Sequence, residues 1–295
     1  MSTSHTMNKP DFIIIGAMKS ATSSLQDQLS LLPGVFMTTP KEPNFFSNDE
    51  IYARGESWYS ALYDDAQLND LKGEASTHYT KLPKHPQTIS RLSGYCPHAK
   101  FIYVMRHPVD RLLSHFVHNW SMGFIPKSAS IDEMIDSYPP LIEYSLYSKQ
   151  IRPWLEQFGK ECVLPVFFNR IVSTPQLEFE RICSFIGYLG QVTWRDDLEA
   201  KNVSSRRRRR IPLHNILIDS KFAESLRRAL VPKLIRNAVR ERLPTLKKPA
   251  LSHERMLALE EIFDKDLAVL GELFGVKLNC QNFKEITADT CLDWA

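Results

Sequence analysis

Three features predict a three-layer α/β/α domain around a central, mostly parallel sheet: short runs apolar at every position, helical patterns alternating with them, and a polar turn after the first run. Residues 12–15 (Phe-Ile-Ile-Ile) are the first run. Having no polar face to turn to water, they suit a central strand. Residues 16–24 form the polar turn, and Leu25, Leu29 and Leu32 then recur at helical spacing until Pro33 and Gly34 stop the pattern. The same grammar returns at 100–106, a strand, after which Pro108 opens a helix carrying Leu112, Leu113, Phe116 and Trp120. Proline fits the first helical position because its missing N–H would have no partner there. Residues 163–168 read as another strand and 175–186 as another helix. Ser252 caps a long helix whose Met256, Leu259, Phe263, Leu267, Leu270 and Leu273 share one face, and Gly275 ends it.

The chain has 295 residues, 43% hydrophobic and 24% charged, which excludes disordered, collagen-like and coiled-coil classes. No repeat or Gly/Ser linker divides it, so we expect a flexible tail over 1–10 and one domain over 11–295. Its five cysteines (Cys96, Cys162, Cys183, Cys280, Cys291) are scattered with no CxxC pair, against a disulfide framework or a zinc knuckle. The first residues lack an apolar signal core, and no apolar run approaches the ~20 residues of a membrane span, so a cytoplasmic protein is expected. A net charge of +3 is too small for a nucleic-acid coat, and no nucleic-acid partner is expected. Residues 201–248 depart from that average: fifteen lysines and arginines face three acidic residues, a local excess of twelve. Leu226, Leu230, Leu234 and Ile235 interleave with part of this block, a pattern suited to a basic amphipathic helix at a membrane surface.

The first turn carries the chemistry. Ligands of open α/β sheets bind beyond the carboxyl ends of strands, where helix N-termini offer free N–H groups to anions. Ser20, Ala21, Thr22, Ser23 and Ser24 are small enough for close backbone approach, three of them follow with hydroxyl donors, and Lys19 adds a positive charge. The order is not that of a Walker loop, whose lysine comes at the end. Arg106 closes a strand and so points into the same crevice, with Ser114 two helical turns on. Two separated phosphate sites on one sheet edge imply a nucleotide phosphorylated at both ends of its ribose. No metal-binding cluster is visible.

At these residues the sequence resembles a family. Gly16-Ala-Met-Lys19-Ser-Ala-Thr22-Ser-Ser-Leu25 is similar to the 5′-phosphosulfate loop of sulfotransferases that use 3′-phosphoadenosine 5′-phosphosulfate (PAPS). Val104-Met-Arg106-His-Pro108-Val-Asp-Arg111-Leu-Leu-Ser114-His-Phe116 is similar to their 3′-phosphate motif. Lys41-Glu42-Pro-Asn-Phe45-Phe46 resembles the Lys-Glu-x-x-Phe-Phe segment of the carbohydrate, heparan-sulfate-type branch, and 73–79 sits where that branch has a strand end touching substrate and cofactor. The likeness runs over about 11–275 in family order. One departure is Ala21, where the family has glycine; alanine disfavours a positive φ, so a slightly reshaped loop is expected.

The resemblance implies a P-loop-like fold that transfers a sulfuryl group from PAPS to a hydroxyl acceptor: a sugar, a glycolipid or another small molecule. It implies Lys19 on the leaving group and a base that is Glu42 or, as runner-up, His78. It places Lys41 and Glu74 on the substrate, and one or two of 206–210 (Arg206, Arg207 and Arg208 among them) over the 3′-phosphate. Phe45 and Phe46 read as core; Tyr144 and Tyr147 read as core or as neighbours of the cofactor. Two rivals remain: a nucleotide kinase, and a basic nucleic-acid or membrane-surface binder built on 201–248.

Overall fold

A computed structural model describes residues 8–198 and 249–295. Five strands form its sheet: β1 (Phe12–Gly16), β2 (Val35–Met37), β3 (Leu71–Ala75), β4 (Lys100–Met105) and β5 (Val163–Phe167). All pairings are parallel, in the order β2-β3-β1-β4-β5, with Phe12 opposite both Gly73 and Lys100. β1 is buried at every position, as a central parallel strand must be.

Six helices carry most of the covering layers: α1 (Thr22–Leu29), α2 (Thr88–Tyr95), α3 (Pro108–Met122), α4 (Tyr147–Phe158), α5 (Pro175–Phe185) and α6 (His253–Phe274). Alternate residues of β1 serve opposite layers. Phe12 and Ile14 join Leu25 and Leu29 of α1 and Phe179 and Ile182 of α5. Ile13 and Ile15 join Leu92 of α2, Leu112 and Phe116 of α3, Trp154 of α4 and Phe263 and Leu267 of α6. That alternation produces the three layers.

Several predicted boundaries moved, for local reasons. α1 stops at Leu29, and Leu32 is instead buried in the turn behind it. Residues 8–10 are not loose tail: Asn8 N–H donates to Ser60 Oγ (2.8 Å), Tyr95 OH donates to the Asn8 carbonyl (3.1 Å), and Pro10 is buried. Residues 1–7 and the whole 201–248 block, with Arg206, Arg207 and Arg208, lie outside the described residues. Pro108 does open α3, and Ser252 does cap α6, accepting from Arg255 N–H at 3.3 Å. Gly275 ends α6 in the left-handed conformation (φ 69°). No helix among the described residues is long and apolar enough to cross a membrane.

One remote contact positions the site. Asp266 of α6 is buried against the start of α4, accepting from Ser148 N–H (3.1 Å), Ser148 Oγ–H (2.5 Å) and Lys149 N–H (3.3 Å). It satisfies donors that a helix start otherwise leaves open, and it fixes the turn that carries Tyr147. Asp266→Ala should therefore destabilise the fold by about 2 kcal/mol or more, read as a lower urea midpoint at constant m; an unchanged midpoint would show that the anchor carries nothing.

Candidate active site

The carboxyl ends of β1, β3 and β4 converge, and each is followed by a loop bearing predicted residues. Past the end of β1, Ala17 N–H donates to the Val104 carbonyl (2.8 Å) and Ser20 N–H to the Ala17 carbonyl (3.2 Å). Ala21 is the N-cap of α1 and offers its helix no side-chain cap. The opening N–H groups of Thr22, Ser23 and Ser24 thus face the crevice with the helix dipole behind them. Lys19 (φ 74°) and Ala21 (φ 70°) are both left-handed. The expected reshaping at Ala21 is therefore corrected: the chain keeps the turn a glycine would make and accepts a cost of ~1 kcal/mol for the Cβ. Ser20, also expected in the cradle, is fully buried beside the Tyr147 hydroxyl.

Arg106 lies directly beyond β4. Its Nη1 donates to the Lys19 carbonyl (3.3 Å), and its guanidinium carbon stands 4.6 Å from the centre of the Phe168 ring. The Tyr147 hydroxyl accepts from Arg106 N–H (3.2 Å) and donates to the Arg106 carbonyl (2.5 Å), so the backbone at this strand end is clamped on both sides. Arg106 Nε is buried without a hydrogen-bond partner. A buried donor left open costs about 1–3 kcal/mol, a cost an anionic ligand would remove. That orphan, the uncapped helix start and Lys19 together fit a nucleotide with two separated phosphates. Ser114 is buried on α3, two turns on, and makes no hydrogen bond with Arg106.

A further loop beyond β2, residues 40–46, brings Lys41 and Glu42 to the same crevice. Phe45 and Phe46 are fully buried, Phe45 stacking on Tyr59 at 4.7 Å, which pins the loop to the core. Glu42 is left-handed (φ 57°) and held there by its own N–H to the Ala75 carbonyl (3.0 Å) and by Asn44 Nδ2 donating to its carbonyl (2.9 Å). Its Oε1 accepts from Thr77 Oγ1–H (3.1 Å). The Lys41 ammonium donates to Ser23 Oγ at 2.6 Å, which sets this residue, expected at the substrate, against the first turn of α1.

Glu74 is corrected too. It is fully buried on β3 beneath Tyr59, Tyr63 and Tyr79, enclosed rather than offered to a substrate. Burial pushes its carboxyl up to about 7, against the pull of the Tyr79, Tyr59 and Ser76 hydroxyls. His78 is half-buried and stacks on His85 at 5.2 Å. Burial, then the charges of Lys81, His85 and Lys84, lowers its pKa to about 3, so it is neutral at physiological pH and a weak proton acceptor.

Lys81 escaped the sequence reading. Only 8% exposed, it approaches the Tyr144 ring (5.8 Å) within the influence of Glu42 and Arg111. Burial pulls its pKa down to about 8, Glu42 raises it, and Lys84 and Arg111 lower it further. Its backbone is fixed on both sides: Thr80 Oγ1–H donates to the Ile15 carbonyl (2.9 Å), and Gln150 holds both the N–H and the carbonyl of Leu82 (2.8 and 2.9 Å). Below it Arg111 is fully buried, bonded to Ser145 Oγ and the Leu141 carbonyl, and no carboxylate pairs with it among the described residues. Burial lowers Arg111 to about 10, which leaves it charged at neutral pH. An isolated lysine before Leu-Pro carries no sequence signal that would have singled it out. Among the described residues no group of His, Cys, Asp and Glu is placed to hold a metal ion.

The chain is similar to known proteins in sequence and in fold. Heparan sulfate glucosamine 3-O-sulfotransferase 3B1 of Mus musculus is 31% identical over 188 residues, 60% of this chain and 46% of that protein. Its Homo sapiens counterpart is 30% identical over 193 residues, 63% and 48% of the two chains. The chain thus spans about half the length of the curated relatives it matches. In fold, it resembles the crystal structure of a sulfotransferase from Alicyclobacillus acidocaldarius, with a TM-score of 0.61 and 23% identity over 92% of this chain and 97% of that one. The sulfotransferase domain family model matches residues 9–232, most of the chain and every loop described above, and on that match the chain belongs to the sulfotransferase family.

Proposed function

We propose that the protein transfers the sulfuryl group of PAPS to a hydroxyl of an acidic carbohydrate. The observation that carries the reading is the Arg106–Lys19 hydrogen bond, which joins an unsatisfied buried guanidinium N–H to the uncapped start of α1 across one crevice. Two groups that call for an anion on one crevice suit one nucleotide bearing a phosphate at each end of its ribose. The nucleotide supplies the activated sulfuryl group; the chain supplies the rest. Lys19 and the N–H groups of 22–24 hold the 5′ end, and Arg106 with Ser114 holds the 3′-phosphate.

Glu42, oriented by Thr77, takes the proton of the attacking hydroxyl. The hydroxyl oxygen forms its bond to sulfur as the bond from sulfur to the bridging phosphate oxygen breaks. The electron pair of that bond stays on the phosphate, where Lys19 and the helix N–H groups meet it. The products are a sulfate ester and adenosine 3′,5′-bisphosphate. Losing a donor aimed at developing charge costs about 3–4 kcal/mol in such sites. His78, neutral and weakly basic, suits a wall position better than the role of base.

Two features support an acidic sugar. The Lys-Glu-x-x-Phe-Phe loop is shared in pattern with the heparan-sulfate branch, whose names in the relatives above specify a glucosamine hydroxyl. Lys81, set beside Glu42 over buried Arg111, presents a cation where an acceptor would lie. The family match weighs against a nucleotide kinase, and the residues behind the polyanion and membrane-surface readings lie outside the described residues.

Adenosine 3′,5′-bisphosphate at 100 times its Kd should stabilise the protein by about 2.7 kcal/mol. Arg106→Ala should abolish that gain, and a thermal shift only with ATP and magnesium would overturn the reading. Glu42→Gln should slow transfer at least a hundredfold while leaving the bisphosphate-induced shift intact; a full rate in this variant would remove Glu42 as base. Because Lys81 loses its charge as pH rises through about 8, activity on an acidic acceptor should fall above that pH. Lys81→Arg should carry the falling limb to higher pH, and an identical profile would separate Lys81 from acceptor binding.

A further inference from the structure

Lys41 and Glu42 are neighbours in sequence, yet they serve opposite partners. Glu42 turns to Thr77 on the acceptor wall, and Lys41 sets its ammonium on Ser23 Oγ at 2.6 Å, on the first turn of α1. The division is built into the backbone. The left-handed conformations of Glu42 (φ 57°) and Asn44 (φ 53°) are held by two bonds to β3 and its following turn, Glu42 N–H to the Ala75 carbonyl and Asn44 N–H to Ser76 Oγ (3.1 Å), and by one within the loop, Asn44 Nδ2 to the Glu42 carbonyl. A non-glycine residue at positive φ persists only where its surroundings over-determine it. The turn therefore directs its two side chains apart and keeps them so.

We propose that Lys41 is a donor-side catalytic residue, a second cation on the 5′-phosphosulfate that acts with Lys19. This rests on the sulfotransferase reading given above. Ser23 is the second residue of α1, where the free N–H groups gather, so an ammonium resting on its hydroxyl is within one side-chain rotation of any 5′-phosphate seated there. When a phosphate occupies the loop, the ammonium moves from a neutral hydroxyl to an anion, a stronger partner. It then faces the oxygen that gains charge as the sulfur–oxygen bond breaks. The dipeptide thereby places a leaving-group cation and the proton acceptor on one rigid turn, so their relative position is set by backbone geometry rather than by two independent loops.

The test compares two probes that differ only at the 5′ end: adenosine 3′,5′-bisphosphate and adenosine 3′-phosphate, each titrated calorimetrically into the full chain. Lys41→Met should weaken the bisphosphate about tenfold and leave adenosine 3′-phosphate unchanged; Lys41→Arg should restore most of the loss. Arg106→Ala should weaken both. If Lys41→Met binds both probes as the parent does, Lys41 is not on the donor side and the inference fails, while the sulfotransferase reading stands. If the parent protein binds neither probe, that reading fails, and the role of Lys41 fails with it. Unchanged urea midpoints for the Lys41 variants exclude loss of folding as the cause of any difference.

Discussion

The end of β1 is tied to its neighbours by hydrogen bonds at Ile14, Ile15 and Ala17, and the site depends on that tie. Ser76 N–H donates to the Ile14 carbonyl, Thr80 Oγ1–H to the Ile15 carbonyl, and Ala17 N–H to the Val104 carbonyl. Gly16 makes the crowding workable, because a Cβ there would stand 2.0 Å from Thr80 Oγ1. Three loops from three strands are thereby drawn to one crevice. The loop of residues 17–24 comes from β1, the wall bearing Thr77 and Lys81 from β3, and Arg106 from β4. The position is the one that open parallel sheets favour for ligands, beyond the carboxyl ends and where the strand order reverses.

Cations accumulate around this crevice with few carboxylates to neutralise them. Lys19, Lys41, Lys81, Arg106 and Arg111 come from four separate stretches of chain, and Glu42 is the acid that reaches them from the 40–46 loop. Folding has concentrated charge that the composition does not reveal, since the chain as a whole carries only +3. Holding cations in a partly dry site costs desolvation energy, and lowered values at Lys81 and Arg111 record that cost. Such a field favours an anionic ligand.

Much of this was legible in the sequence because its signals are local. An all-apolar run reads as a buried strand, Pro108 and Ser252 mark helix starts, and Phe45-Phe46 read as the core pair they are. β2 and β3 were not legible by periodicity: β2 has only three residues, and β3 carries Lys72, Gly73 and Glu74 in its middle. Side-chain direction was also hidden. Nothing in Lys41-Glu42 says that one residue faces Ser23 and the other Thr77, since that follows from a left-handed turn fixed by β3. Nor could Glu74 be told from an active-site carboxylate until three tyrosines had closed over it. Lys81 became visible only once Gln150 and Thr80, far apart in sequence, had fixed its backbone.

A crystal structure of the protein grown with adenosine 3′,5′-bisphosphate tests the central claim most directly. The account predicts the 3′-phosphate about 3 Å from Arg106 Nε, satisfying the donor that is now without a partner, and the 5′-phosphate on the N–H groups of Thr22, Ser23 and Ser24. The ribose would then bridge the Lys19–Arg106 bond, with the Glu42 carboxylate open to the side from which an acceptor enters. Ligand bound outside this crevice, or bound with Arg106 Nε still unsatisfied, would contradict it.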